Sequence, residues 1–235
     1  MKVIKVSDYA DLSKKAAVII AAQMLKNPKC VLGFATGSTP EGTYAELINM
    51  YEQGIIDFSE VTTFNLDEYY GLDAKHPQSY NYYMRKNLFD HVNVNNDNVH
   101  LPNGTASDSV QECVNYEHMI EQAGGIDFQL LGIGRNGHIG FNEPGESFSG
   151  RTFLTDLTQD TIDANARFFG PGEQVPTRAI SMGISTIMAA RSILLVANGE
   201  SKIDALNRMI FHPVTPQLPA SVLQFHSDVT VLYCD

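Results

Sequence analysis

"CVLGFATGSTPEGTYAELINMYEQG", residues 30–54, reads as one strand, turn and helix in succession. The run 30–35 is almost wholly apolar, the pattern of a strand buried on both faces. Glycine and hydroxyl residues follow, then Pro40 at a first-turn position and Gly54 just beyond the last helical residue, the expected start and stop signals. The alternation continues in both directions. Short apolar or β-branched runs stand at 2–6, 61–65, 127–133, 179–182, 192–197 and 229–234, with helical-period segments between them, clearest at 11–27 and 107–125. Strands this apolar, alternating with helices, predict an α/β fold: a doubly wound, Rossmann-like, mostly parallel sheet with helices on both faces. The sequence has no repeat of 20–50 residues and no Ser/Pro-rich linker, so 1–235 is expected to be a single domain.

Ligands of such sheets sit outside the carboxyl ends of the strands. Four unusual stretches fall there: "TGSTP" after 30–35, "NLDEYYG" after 61–65, "RNGHIGFNEP" after 127–133 and "NGESK" after 192–197. One site built from four strand ends accounts for all of them.

Each stretch has a plain reading and a chemical one. In "ATGSTPEGTY" (35–44), the backbone of Gly37 and the hydroxyls of Ser38 and Thr39 precede a helix start, a place where N–H groups and the helix dipole hold phosphate. The plain reading is an N-capping turn with no ligand. A Walker lysine is missing, which argues against nucleoside triphosphate hydrolysis. In "GIGRNGHIGFNEP" (132–144), Gly132, Gly134 and Gly137 match the dinucleotide fingerprint formally, but that motif must open a helix, and Gly140, Pro144, Gly145 and Gly150 interrupt the residues that follow. His138 alone would be a structural histidine. With Glu143 in the same glycine-shaped loop it forms a credible acid–base pair. Asp67 and Glu68 sit where a strand should give way to a loop. Either alone reads as a solvated acid, yet the position lets a carboxylate reach a substrate.

Bulk properties narrow the classes. With 27 acidic against 16 basic residues the net charge is −11, with no Lys/Arg block and no Trp, which disfavours nucleic-acid binding. A small anion can still be held locally, because fields are screened beyond about 8 Å. Cys30, Cys113 and Cys234 have neither disulfide arithmetic nor zinc spacing, so a reducing cytoplasm fits and no metal is expected. The N-terminal stretch lacks an apolar signal core and no segment approaches the roughly 20 apolar residues of a membrane span, so a soluble, cytoplasmic protein is expected.

The motifs "LGFATGSTPEGTY", "FNLDEYYGL", "HPQSYNYYM", "GIGRNGHIGFNEPG" and "ANARFF" occur in this order over nearly the whole length. In this the chain resembles the glucosamine-6-phosphate deaminase (isomerase) family. The resemblance implies conversion of glucosamine 6-phosphate and water to fructose 6-phosphate and ammonia, without metal or organic cofactor. It implies that His138 shuttles a proton during ring opening, that Glu143 orients or stabilises it, and that Asp67 moves the C2 proton. It further implies that Gly37, Ser38, Thr39, Arg167 in "ANARFF" and Lys202 in "GESKIDAL" hold the phosphate. Position 136 is commonly aspartate in the family and here is asparagine, so Asn136 is expected to support the site without acting as an acid or base. The related 6-phosphogluconolactonases typically continue after the loop histidine with Thr, Ala and Ser, whereas this chain continues "IGFNEP". A lactonase would need His138 but no C2 base, and a sugar-phosphate sensor would normally carry an added helix-turn-helix. In some family members a phosphorylated effector binds basic residues after the Asn-Glu-Pro turn. By register those positions are Phe153 and Thr155, which predicts a monomer or small non-cooperative oligomer without effector activation.

Overall fold

Helix caps and apolar strand runs divide the chain much as the sequence predicts. The structure, a computed structural model, describes residues 1–166, 169–170 and 175–235. In chain order the elements are β1 (Lys2–Lys5), α1 (Tyr9–Lys26), β2 (Val31–Phe34), α2 (Glu41–Glu52), β3 (Thr62–Asn65), β4 (Asp67–Tyr70), α3 (Tyr80–Asn87) and β5 (Val99–His100). They continue with α4 (Ser109–Gln122), β6 (Phe128–Leu131), β7 (Phe153–Asp156), α5 (Gln159–Ala166), β8 (Arg178–Ser181), α6 (Ile184–Met188), β9 (Ser192–Asn198), α7 (Ile203–Phe211) and β10 (Val229–Cys234). Side-chain oxygens of Asp8, Ser79 and Asp108 accept from first-turn N–H groups of α1, α3 and α4, satisfying donors the helices cannot.

Seven strands form one parallel sheet in the order β1-β10-β9-β6-β2-β3-β5. Successive residues of a strand face opposite sides, so each strand feeds two cores. Leu32, Phe34, Leu130 and Leu194 pack with Leu12, Ile20 and Leu47 of α1 and α2. Val31, Leu131, Ile193 and Leu195 pack with Tyr116, Ile187, Leu206 and Met209 of α4, α6 and α7. Leu32 is fully buried, and truncating such a leucine to alanine costs about 2–5 kcal/mol through lost burial and the cavity left behind. The predicted doubly wound sheet with helices on both faces is therefore present. Among the described residues no helix is long and apolar enough to cross a membrane.

One expectation changes. The residues after β3 do not turn into loop: after Leu66, β4 opens with Asp67 and pairs antiparallel with β8, which pairs with β7. Leu66 N donates to Phe34 O at 3.0 Å and Met182 N to Leu66 O at 2.7 Å, so the chain passes from one sheet to the other without a break in pairing. The acids at 67 and 68 conceal a strand whose β preference comes from Tyr69 and Tyr70. The segment 179–182, expected as one more strand of the series, belongs to this small antiparallel sheet.

Candidate active site

The order β9-β6-β2-β3 sets side by side the carboxyl ends of all four strands that precede the unusual stretches. The turn after β2 is shaped from behind. Gly37 has φ +104°, a left-handed conformation that favours glycine. Tyr83 Oη donates to Gly37 O at 2.6 Å, and Tyr9 Oη donates to Ser38 O at 3.0 Å while accepting from Gly42 N at 2.8 Å. The carbonyls of the turn are thus occupied. Its N–H groups at Gly37, Ser38 and Thr39 make no hydrogen bond among the described residues, which leaves donors for an anion at the start of α2. Sequence reasoning found the turn but not the two tyrosines that fix it.

The loop after β6 is a closed turn. Gly137 N donates to Gly134 O at 3.0 Å and Gly134 N to His138 O at 2.9 Å, with Gly137 at φ +86°. A Cβ at Gly134 would lie 2.4 Å from the His138 ring, so the glycine is required for the backbone to pass beneath the imidazole. Asn142 Nδ2 donates to Ile139 O and to Met182 O at 2.8 and 2.9 Å, and Phe141 N donates to Ser181 Oγ at 3.1 Å, anchoring the loop to β8. Within it Glu143 is the hub. Oε2 accepts from Asn136 Nδ2 at 2.7 Å, Oε1 accepts from Thr161 Oγ1 at 3.1 Å, and Oε1 lies 3.2 Å from His138 Nδ1. Burial would raise the Glu143 carboxyl, but the contacts with His138, Asn136 and Thr161 outweigh it and hold the group below its ordinary value, as a carboxylate. Asn136 Oδ1 also accepts from His138 N at 3.2 Å. The amide is therefore a bridge, donating to Glu143 where a second carboxylate would repel it.

Asp67, at 6% exposure, is the first residue of β4, and its carboxyl is pushed up to about 8 by burial and then by the charge of Glu68. The 138–143 loop reaches it: a Cβ at Gly140 would stand 3.5 Å from Asp67 Oδ2. Glu68 faces away into structure. It accepts from the backbone N–H groups of Tyr69, Tyr80 and Asn81 at 2.8, 2.9 and 2.9 Å, so it caps α3. Burial pushes Glu68 up to about 7 and those N–H groups pull it back. Lys202 is the N-cap residue of α7, half-buried, and its ammonium is held below its ordinary value by burial and by the positive charge of Arg135. Arg167 lies outside the described residues.

The arrangement brings an elevated buried carboxyl, a histidine with its carboxylate, and an anion-ready turn to one sheet edge. Comparison with known proteins agrees on what it resembles. The family model described as glucosamine-6-phosphate isomerases/6-phosphogluconolactonase matches residues 7–232. The glucosamine-6-phosphate deaminase of Lachnoclostridium phytofermentans is 54% identical over 100% of this chain and 99% of its own length. That of Clostridioides difficile is 53% identical over 99% of this chain and 93% of its own. A solved monomeric glucosamine-6-phosphate deaminase superposes with a TM-score of 0.96 at 46% identity, covering 100% of this chain and 97% of that one. The 6-phosphogluconolactonase of Thermotoga maritima, with a TM-score of 0.79 at 20% identity over 99% of this chain and 98% of its own, shares the fold. The chain belongs to the family of glucosamine-6-phosphate isomerases and 6-phosphogluconolactonases.

Proposed function

We propose that this chain is a glucosamine-6-phosphate deaminase, with Asp67 as the C2 base and His138, positioned by Glu143 and Asn136, as the ring-opening group. The phosphate rests on the N–H groups and hydroxyls of Gly37, Ser38 and Thr39, with Lys202 and Arg167 as cations. His138 takes the proton of the C1 hydroxyl and returns it to the ring oxygen, giving the open aldehyde. Asp67 then takes the C2 proton to form an enolamine and delivers it to C1, leaving a C2 imine. Water adds to C2 and ammonia departs, leaving fructose 6-phosphate.

The observation that supports this reading is the approach of the 138–143 loop to Asp67 at Gly140, the proximity that a ring-opening pair and a C2 base acting on one sugar require. A carboxyl raised to about 8 is, once ionised, a stronger base than a free aspartate, and catalytic bases work best near the operating pH. A lactonase has no use for such a base. The test is a coupled assay for fructose 6-phosphate and ammonia from glucosamine 6-phosphate. Hydrolysis of 6-phosphogluconolactone without ammonia release from the amino sugar would establish the lactonase instead.

The relative described as monomeric supports a monomer or small non-cooperative oligomer, and three buried, unpaired cysteines suit a reducing cytoplasm.

A further inference from the structure

The cation nearest Lys202 in effect is Arg135, a residue the reaction as described does not use. Arg135 is exposed and stands in the turn after β6, the strand between β2 and β9 in the sheet. The phosphate turn at 37–39 follows one neighbouring strand and Lys202 follows the other, so the order of strands places Arg135 between them along the sheet edge. The turn that carries it is held by Gly137 N donating to Gly134 O and Gly134 N donating to His138 O, which fixes its backbone against the catalytic loop. Among the described residues neither Arg135 nor Lys202 is bonded to a carboxylate, in a chain of net charge −11. The two positive charges act on each other directly, and that repulsion helps lower the Lys202 ammonium. Two cations that bear on each other at the edge where the turn at 37–39 opens form a place suited to an anion from outside.

We propose that Arg135 is a phosphate-binding residue of the substrate site, closing on the sugar phosphate together with Lys202 and the turn at Gly37, Ser38 and Thr39. The inference rests on the phosphate site described above and adds a ligand to it. A guanidinium offers paired N–H donors that match two phosphate oxygens, whereas Lys202 acts as a point charge. Its place on the turn that contacts His138 also links phosphate binding to the ring-opening loop.

The experiment compares Arg135→Ala, Arg135→Lys and Lys202→Ala with the wild type in the full chain. KM is measured for glucosamine 6-phosphate, and inorganic phosphate is titrated as a competitive inhibitor. Arg135→Ala is expected to raise both KM and the inhibition constant of phosphate by about ten- to a hundredfold, the effect of a lost charged hydrogen bond. Arg135→Lys should recover part of the loss in both constants. If Lys202→Ala weakens phosphate and Arg135→Ala does not, the phosphate site stands and the role of Arg135 is overturned. If neither variant weakens phosphate and the wild type turns over glucosamine as well as its 6-phosphate, the phosphate site itself is wrong. Arg135 is exposed, so its replacement removes no buried packing, and equal thermal midpoints for the variants check that the fold is kept.

Discussion

Nδ1 of His138 lies 3.2 Å from Oε1 of Glu143 without forming an aligned hydrogen bond to it. Catalytic hydrogen bonds of unliganded sites often tighten only around substrate. Glu143 is kept as a carboxylate by His138, Asn136 and Thr161, and in the proposed mechanism it would stabilise the positive charge that develops on the imidazole. Substitution His138→Gln should slow turnover of the closed pyranose by about 10²–10⁴. An analogue lacking the ring-closing hydroxyl should be slowed far less. Equal slowing of both substrates would remove His138 from ring opening.

Asp67→Asn should reduce kcat by about 10²–10⁴ or more with little change in KM, because an amide of the same shape cannot accept the C2 proton. Exchange of the C2 proton with deuterated solvent reports the step directly. Wild-type exchange in the variant would exclude Asp67 as the base.

The same substitution should reverse sign when stability is measured. Asp67 titrates at about 8 in the fold against 3.8 in the free residue. Between those values the folded protein holds a proton that the unfolded chain has released, so stability falls as pH rises and levels off above the folded value. The asparagine variant escapes this loss. Its unfolding free energy should exceed that of the wild type by a margin growing from about pH 4 to about pH 8 and reaching several kcal/mol at most, read from denaturant unfolding at each pH. A constant difference across that range would mean that Asp67 is not raised.

Much of this was legible beforehand, for identifiable reasons. Short apolar runs such as "SILLVA", recurring between helical-period segments, read as buried strands, and Pro40 and Gly54 bracket α2 as helix signals should. The four strand ends could be grouped into one edge because parallel sheets expose their turns together. What stayed hidden depends on contacts across the chain. Residues 67–70 form a strand because of pairing with 178–181, about a hundred residues away, and the local β preference of Tyr69 and Tyr70 is masked by the two acids before them. Glu68, which by itself reads as a solvated acid, is instead buried, because adjacent strand residues face opposite ways and it caps α3. The tyrosines behind the phosphate turn come from α1 and α3, too far in sequence for any motif to join them to Gly37.

Removing the charge at Lys202 with Lys202→Ala should raise KM for glucosamine 6-phosphate by about tenfold or more, the scale of a charged hydrogen bond. Arg167→Ala should act in the same direction. kcat falls as well if phosphate binding energy is spent on ordering the catalytic loop. Steady-state kinetics with glucosamine alongside its phosphate provide the control. Identical kcat/KM for the two would show that no phosphate site operates.

The final prediction concerns control by a second sugar phosphate. The positions that the family resemblance marks for basic effector ligands are here Phe153 and Thr155, both on β7 and neither able to attract phosphate by charge. Arg151, two residues earlier, is the cation that could replace them. The structure commits it elsewhere: its guanidinium pairs with Glu121 of α4 at 2.5 Å. The backbone beside it is pinned too, since Glu117 Oε1 accepts from Thr152 N at 2.8 Å and from Thr152 Oγ1 at 2.5 Å. Glu146 and Asp156 are exposed nearby and would repel an anion. An effector shifts an equilibrium only through different affinities for its two states, and a segment without an anion site offers none. Initial rates against glucosamine 6-phosphate should therefore be hyperbolic and unchanged by N-acetylglucosamine 6-phosphate. A sigmoidal curve that becomes hyperbolic on adding that compound would overturn the prediction, and loss of the response in Arg151→Ala would then identify Arg151, released from Glu121, as the effector's ligand.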